Sequence, residues 1–267
     1  MSHKSIIQAD LSGKVVLITG ASHGLGAYFS EMLARNNATV IVSGRSQEKI
    51  DLVVSKINTK GGKASPLVLD MTDFKSFHKK INEIINQFGH LDVLINNAAI
   101  SKDKSLFDIT EEDWDSHFNT NTKGLFLLSQ AVAVQMKKQK SGNIVNIAAL
   151  NGEKVRKNCI VFGASKSAVI HLTKLMAYEL IEHNVRVNAI SLGLFPSEGV
   201  KEWLETDPKA KEYLEQIPMQ HEGKFSDLDG PLLLLASNAS EYMTGSILKV
   251  DGGFAIDVFM NITRNKN

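Results

Sequence analysis

Glycines cluster with small polar side chains at residues 19–26, which read TGASHGLG and follow the apolar run Val15–Thr19. Glycine permits a tight turn and lets backbone N–H groups approach an anion, and the N-terminus of a following helix adds partial positive charge. The spacing Gly-x-x-x-Gly-x-Gly between a strand and a helix therefore predicts a turn that binds a dinucleotide pyrophosphate. The residues assigned to this turn are Gly20, Ser22, His23, Gly24, Leu25 and Gly26.

The residues after the second apolar run indicate which dinucleotide binds. An acidic residue at this position would hold the ribose 2′-hydroxyl of NAD, but residues 42–46 read VSGRS and contain no acid. Arg45 offers a planar fork of N–H donors that suits a 2′-phosphate, with Ser43 and His23 as assisting donors. We therefore predict NADP(H) as the cofactor, with NAD(H) disfavoured. The alternative is that Arg45 is an exposed residue capping the next helix.

The elements that would position these residues alternate along the chain. Short apolar runs predict buried parallel strands, at Val15–Thr19, Thr39–Val42, Ser65–Leu69, Val93–Ile95, Asn143–Ile147, Val185–Ile190 and Ser246–Val250. Longer amphipathic stretches predict helices at about 24–36, 46–60, 73–88, 111–139, 161–183 and 225–236. This alternation predicts an α/β fold, a Rossmann-type doubly wound parallel sheet of about seven strands with helices on both faces.

The 267 residues contain no linker-like stretch and no repeat, so we expect a single domain over 1–267 that holds both dinucleotide and substrate. Residues 194–222, approximately, interrupt the alternation with mixed charged and aromatic side chains. Loops beyond the carboxyl ends of the strands hold the substrate in doubly wound folds. We therefore predict a substrate-covering lid here, and an ordinary surface excursion is the alternative.

Two predicted helices are apolar beyond one stripe, which indicates that a second face is buried. The first carries Leu125, Leu128, Val132 and Met136, and the second carries Ala168, Leu172, Leu175 and Tyr178. A homotetramer or homodimer interface would bury such faces, so we predict one. Burial in the core alone is the other explanation.

Composition argues against several classes of partner. The net charge of +1 predicts no field that would gather nucleic acid or anionic lipid, and no run of 18 apolar residues predicts a membrane span. The single cysteine, Cys159, allows neither an intramolecular disulfide nor a cysteine-based metal cage, and it suits a reducing compartment. Residues 1–10 lack the apolar run of a signal peptide. We expect a cytoplasmic protein that acts on small molecules.

Together these motifs resemble the short-chain dehydrogenase/reductase family over about residues 11–256. The resemblance rests on the turn at 19–26, on NNAA at 96–99, on NAISLG at 188–193 and on VDGG at 250–253. The family usually has Gly at position 99 and Pro at position 192, so two of these motifs are imperfect. The resemblance implies that Asp70 contacts the adenine, and it adds further residues to the cofactor site: Met71, Asn97, Ala98, Ala99, Lys166, Gly193 and Leu194.

The resemblance also implies a reaction, the reduction of carbonyls or the oxidation of alcohols. Its members use a Tyr acid/base, a Lys four residues later, a Ser thirteen residues earlier that holds the substrate oxygen, and an Asn that completes a proton relay. The Lys binds the nicotinamide ribose and lowers the pKa of the Tyr. Asn121 and Lys166 match the Asn and the Lys, whereas Phe162 stands at the Tyr position and Ala149 at the Ser position. Both hydroxyls of the catalytic pair are therefore missing.

Loss of a general acid typically lowers a rate by about 10²–10⁴, and loss of a donor to the substrate oxygen by roughly 10²–10³. We therefore expect an NADP(H)-dependent short-chain oxidoreductase that is inactive or very slow. The leading hypothesis is an engineered, inactivated form of a working reductase, because each replacement removes only a hydroxyl. A naturally silent NADP(H)-binding regulatory protein is the alternative. A third hypothesis is an enzyme with another proton donor, for which Cys159, Ser165 and Asn151 are the candidates.

Overall fold

The computed structural model describes residues 10–196, 198–207 and 209–256 of the chain. Residues 1–9, on which most of the signal-peptide expectation depends, lie outside the described part. Residues 197 and 208, within the predicted lid, also lie outside it.

The strands of the described part form one parallel sheet of seven. They are β1 Val15–Ile18, β2 Thr39–Gly44, β3 Lys63–Val68, β4 Val93–Asn96, β5 Gly142–Ala149, β6 Val185–Leu192 and β7 Ile247–Val250. Their order is β3-β2-β1-β4-β5-β6-β7, so the chain winds outward from β1 in one direction and then restarts at β4 on the other side. A crevice opens at the carboxyl ends of the strands where the winding reverses. The predicted doubly wound α/β fold is confirmed.

Helices cover both faces of this sheet. Within the described residues the α-helices are α1 Gly24–Arg35, α2 Gln47–Thr59, α3 Phe77–Phe88, α4 Glu111–Phe118, α5 Leu125–Gln139, α6 Ile160–Leu180, α7 Glu198–Thr206, α8 Lys209–Gln216 and α9 Asp229–Ala236. One apolar core joins α1, α2 and α9 to the face of β1 that carries Val16 and Ile18. A second core joins α3, α5 and α6 to the face that carries Val15 and Leu17. Alternate residues of a strand point to opposite faces, which explains this division.

The predicted helical stretch over 111–139 is confirmed, and within it a π-helical segment, Asn119–Gly124, joins α4 to α5. The segment packs directly against the loop after β3, since a Cβ on Gly124 would lie 2.3 Å from the Met71 carbonyl oxygen. The periodicity of the sequence did not predict the π-helical segment within this stretch.

The apolar residues predicted to form an interface are partly core residues. Leu125, Leu128, Val132 and Met136 are at most 2% exposed, because they pack on the sheet. On α6, by contrast, Leu175 is 50% and Tyr178 81% exposed. The four residues predicted as an interface on α5 therefore belong to the core, whereas α6 exposes two of its four predicted interface residues.

No helix in the described part of the chain combines the length and the apolarity that crossing a bilayer requires.

Candidate functional site

A cavity of about 670 Å³ lies at the carboxyl ends of the strands. Side chains from loops and helices that are distant in the sequence line it together. They include Leu25 after β1, Asn97, Ala99 and Asp103 after β4, Ala149 and Asn151 at the end of β5, Arg156, Phe162 and Lys166 around the start of α6, Gly193 and Leu194 after β6, and Trp203 and Tyr213 on α7 and α8.

Two glycines of the turn, Gly20 and Gly26, lie so close to neighbouring backbone that no larger residue fits there. Gly20 has φ +64°, and a Cβ there would lie 2.7 Å from Ala98 Cα. A Cβ on Gly26 would lie 2.3 Å from the Gly20 carbonyl oxygen. The Asn97 amide donates hydrogen bonds to the Thr19 and Gly20 carbonyls, at 2.9 and 3.1 Å, and so holds the turn to the end of β4. Gly20, Gly26 and Asn97 therefore shape the turn.

The N-terminus of α1 is open to an anion. His23 is its N-cap residue but makes no side-chain capping bond, and its first turn contains no acidic residue. The Ser22 hydroxyl pairs instead with His23 Nδ1 at 3.0 Å. A Cβ on Gly24 would meet nothing within 4 Å, so this side of the turn is open. The uncapped N–H groups and the helix dipole suit the pyrophosphate that the sequence predicts.

The residues after β2 divide into an exposed cation and a buried hydroxyl. Arg45 is exposed directly beyond the strand, and Ser46 rather than Arg45 caps α2 by accepting a hydrogen bond from the Lys49 backbone N–H at 3.4 Å. Ser43 is fully buried and donates to the Ile18 carbonyl at 2.8 Å. The prediction that Ser43 assists Arg45 is therefore wrong, because this hydroxyl links two strands inside the sheet.

Asp70 lies half-buried beyond the end of β3. Its Oδ1 accepts hydrogen bonds from the backbone N–H and the hydroxyl of Thr72, both at 2.8 Å, which fix the direction of the carboxylate. The Met71 side chain is buried in the core, and its backbone carbonyl abuts Gly124. The loop that carries both residues is therefore held in place.

Lys166, Phe162 and Ala149 meet in the cavity. The Lys166 ammonium group is buried and donates to the Ile147 carbonyl at 2.7 Å. Burial lowers the pKa of Lys166 to about 8. Its Nζ lies 5.8 Å from the centre of the Phe162 ring, and Ala149 contributes a methyl group to the same wall. The spacing of these three residues in the sequence thus brings them together.

The side-chain amide of Asn121 links two elements by hydrogen bonds. Its Oδ1 accepts from the Ile100 N–H at 2.8 Å, and its Nδ2 donates to the Ile100 carbonyl at 2.9 Å and to Ser165 Oγ at 3.0 Å. The side chain is buried and joins the loop after β4 to α6. Asn121 therefore positions the cavity wall through these bonds.

The candidates for another proton donor do not reach the cavity as acids. Ser165 is fully buried and donates to the Phe162 carbonyl at 2.7 Å, and Cys159 is buried in a site where desolvation raises the pKa of its thiol. Neither side chain belongs to the described lining of the cavity. Asn151 does line the cavity, but a carboxamide carries no acidic proton. These placements argue against the alternative-donor hypothesis.

One ion pair in the cavity wall was missed by sequence reasoning. Arg156 donates from Nη1 to Asp103 Oδ2 at 2.6 Å and from Nη2 to Asp103 Oδ1 at 2.9 Å. Trp203 and Tyr213, from the segment predicted as a lid, line the same cavity with their rings 5.5 Å apart. Arg156 and Asp103 belong to different loops and form no motif, so the sequence carries no local signal for their meeting.

The loop after β6 closes the remaining side of the cavity. Gly193 donates from its backbone N–H to the Val250 carbonyl at 2.9 Å, and a Cβ on Gly193 would lie 2.6 Å from Asp251 Cα. Leu194 accepts from the Gly223 N–H at 2.9 Å. The glycines at 193 and 223 thus let this loop pack closely against the C-terminal part of the domain.

Comparison with known proteins extends the similarity over nearly the whole chain. Residues 14–208 match the family described as short chain dehydrogenase. The chain is 38% identical over 247 residues to the 3-oxoacyl-(acyl-carrier-protein) reductase FabG of Thermotoga maritima, covering 92% of this chain and 99% of that protein. A solved gluconate 5-dehydrogenase from Burkholderia cenocepacia, in complex with NADP and tartrate, superposes with a TM-score of 0.89 at 30% identity and covers 93% of this chain and 98% of that one. An NAD⁺-bound xylitol dehydrogenase superposes with a TM-score of 0.87 at 30% identity, covering 92% and 100%.

Proposed function

The chain belongs to the short-chain dehydrogenase family. We therefore propose that it binds NADP(H) and a small carbonyl or alcohol compound. We further propose that it does not catalyse efficient tyrosine-dependent hydride transfer between them. One observation carries the proposal. Phe162 and Ala149 line the cavity beside the buried Lys166, where the resemblance expects the acid Tyr and its partner Ser. A phenyl ring and a methyl group neither donate a proton nor hold a substrate oxygen.

Nucleotide binding is supported by the residues that remain. The uncapped N-terminus of α1 suits a pyrophosphate, and the fixed Asp70 carboxylate suits the adenosine end of the nucleotide. Lys166 would hold the nicotinamide ribose from the cavity wall, and Gly193 and Leu194 would border the nicotinamide. When bound, the cofactor supplies or accepts the hydride.

The choice of NADP(H) over NAD(H) depends on Arg45. The residue is exposed next to the site expected for the adenosine ribose, and the segment Val42–Ser46 contains no acid that would repel a 2′-phosphate. The related gluconate 5-dehydrogenase binds NADP, whereas the related xylitol dehydrogenase binds NAD⁺. The proposed preference for NADP(H) therefore rests on the side chain of Arg45 and not on the cofactors of the relatives.

Two origins are compatible with this site. The first is an inactivated form of a working reductase, and the second is a naturally silent protein that uses NADP(H) as a regulatory ligand. We favour the first, because Lys166, Asn121 and the glycine turn keep positions that serve catalysis. We also propose a cytoplasmic location, which the single cysteine supports.

The direct test is a titration of the unaltered chain with NADPH and with NADH, together with a turnover assay on a panel of carbonyl compounds. We expect NADPH to bind more tightly and turnover to stay near background. In Arg45→Ala, NADPH should bind roughly 10- to 100-fold more weakly, because charge-assisted hydrogen bonds to the 2′-phosphate are lost.

The matched control is Lys63→Ala. It removes an exposed charge at the amino-terminal end of β3, away from the carboxyl ends of the strands where Arg45 lies, and should leave the affinities for NADPH and NADH unchanged. Equal affinities of the unaltered chain for the two nucleotides would overturn the NADP(H) assignment. Rapid NADPH-dependent turnover would overturn the account of positions 149 and 162.

A further inference from the structure

An ion pair between an arginine and an aspartate joins two loops at the wall of the cavity. Asp103 lies in the loop after β4, and Arg156 lies between β5 and α6. The two planar ends meet through two parallel hydrogen bonds of 2.6 and 2.9 Å. The Lys104 N–H also donates to the Asn158 carbonyl at 2.9 Å, which ties the backbones of the same loops. Arg156 is thus held in one orientation before any ligand arrives.

The pair still has hydrogen-bonding capacity for a ligand. A guanidinium has five N–H donors and a carboxylate has about four acceptor positions. The mutual contact uses two donors of Arg156 and two acceptor positions of Asp103. Both side chains line the cavity, so donors and acceptors are presented side by side.

The charge of the cavity as a whole favours an anion. Trp203 and Tyr213 line the same cavity, and the side chains of Arg156 and Asp103 remain 40% and 42% exposed, so a ligand in the cavity can reach them. Among the described residues that line the cavity, the ionisable acids and bases other than Tyr213 are Asp103, Arg156 and Lys166. With Lys166 protonated their sum is one positive charge, so a ligand with one negative charge would neutralise it.

We propose that Arg156, held by Asp103, binds the carboxylate of a small hydroxy acid, while Asp103 accepts a hydrogen bond from a neighbouring hydroxyl of the same molecule. The inference deepens the proposed function, since it names the substrate class for the same cavity. An uncharged polyol would forfeit the bonds to Arg156. A carboxylic acid without hydroxyls would forfeit the bond to Asp103.

The test uses the full chain saturated with NADPH and measures binding by calorimetric titration. The probes are lactate, tartrate and gluconate, each paired with an uncharged counterpart: propane-1,2-diol, threitol and sorbitol. We expect at least one acid to bind about tenfold or more tightly than its counterpart. In Arg156→Gln that acid should bind roughly 10- to 100-fold more weakly, while the Kd of NADPH stays unchanged.

Two further variants separate a specific contact from general charge. Lys157→Gln removes one positive charge from an exposed residue of the same loop and should leave acid binding within about twofold, as expected for a screened surface charge. Arg156→Lys keeps the charge but loses the planar fork, so its affinity should lie between those of the unaltered chain and Arg156→Gln. Unfolding curves of each variant check that the fold is retained.

The proposal is overturned if no acid binds more tightly than its counterpart. It is also overturned if Arg156→Gln behaves like Lys157→Gln. Failure of the unaltered chain to bind NADPH would contradict the proposed function instead. The same acid titration on the unliganded chain would then still decide the role of Arg156.

Discussion

At the scale of single residues, the catalytic pair differs from the pattern it resembles by two oxygen atoms. Phe162 lacks only the phenolic oxygen of Tyr, and Ala149 lacks only the hydroxyl oxygen of Ser. The residues around them keep defined contacts, with Lys166 on the Ile147 carbonyl and Asn121 between Ile100 and Ser165. Because the neighbours are in place, restoring the two oxygens should restore the chemistry.

We predict that Ala149→Ser combined with Phe162→Tyr raises NADPH-dependent carbonyl reduction by several orders of magnitude. Acid catalysis contributes a rate factor of about 10²–10⁴, and a donor to the substrate oxygen contributes roughly 10²–10³. The two groups act as a unit, so the factors need not multiply. Phe162→Tyr alone should recover only part of the rate. Steady-state assays with a carbonyl panel, hydroxy-keto acids included, measure the gain.

The control for this prediction adds Lys166→Met to the double variant, which should return the rate to background. The size of the gain also separates the two proposed origins. A rate typical of an efficient reductase would indicate an inactivated working enzyme, and a negligible gain would indicate a silent protein altered elsewhere as well.

The second residue-scale prediction concerns the pH dependence of stability at Lys166. Burial lowers its pKa from 10.5 to about 8 in the folded chain, so between these values the unfolded chain binds the proton and the folded chain does not. Stability therefore rises with pH in this window. Relative to Lys166→Met, the free energy of unfolding of the unaltered chain should rise by up to about 3 kcal/mol between pH 8 and pH 10.5.

Urea unfolding of the two proteins without nucleotide, at several pH values across the window, measures this difference. Lys157→Met replaces an exposed lysine and should follow the unaltered chain at every pH. A constant difference between the unaltered chain and Lys166→Met would show that the buried amine does not titrate differently on folding.

At the scale of elements, the π-helical segment between α4 and α5 carries Asn121, which links Ile100 to Ser165. The π-helical segment Asn119–Gly124 passes so close to the loop after β3 that only a residue without a side chain fits at position 124. Insertions of this kind are frequent at functional sites. Here the same segment contacts the Asp70–Met71 loop on one side and supports Ile100 on the other.

We predict that Gly124→Ala destabilises the chain by about 1–3 kcal/mol, because the added Cβ would lie 2.3 Å from the Met71 carbonyl oxygen and two backbones must separate. Chemical unfolding measures the loss, and nucleotide titration should show weaker NADPH binding through the displaced Asp70 loop. A variant with unchanged stability and affinity would show that the two segments separate without cost.

At the scale of the whole molecule, the apolar surface left uncovered on α6 indicates association. Leu175 and Tyr178 lie one turn apart, and Ile181 follows them at the next turn and is also exposed. Burying such a stripe against its symmetry mate would form an isologous contact. The other face of α6 is already packed in the core, so this interface would form without changing the fold.

We predict that the unaltered chain is a homotetramer or homodimer in light scattering at micromolar concentration, and that Leu175→Glu with Tyr178→Glu lowers its mass. Charges placed in an apolar contact must be desolvated, which opposes assembly. Leu52→Glu, at an exposed apolar position on α2 across the sheet, is the control and should keep the mass of the unaltered chain. A monomeric mass for the unaltered chain would refute the interface.

The fold and the glycine turn could be predicted from the sequence alone. Apolar runs and amphipathic stretches predict strands and helices because side-chain periodicity is local, and alternation leaves few topologies to choose from. The turn at 19–26 could also be predicted from local sequence, because its glycines make close contacts within the turn itself and with the end of a neighbouring strand. The coincidence of Lys166, Phe162 and Ala149 in the cavity followed from spacings that the resemblance supplied.

Which side chains are available for chemistry depends on the tertiary structure. Ser43 carries a suitable hydroxyl, but the sheet buries it against Ile18. Arg156 and Asp103 are 53 residues apart and meet because parallel strands deliver successive loops to one edge of the sheet. Burial and long-range contact depend on how whole elements pack, and neither leaves a periodic signal in the chain.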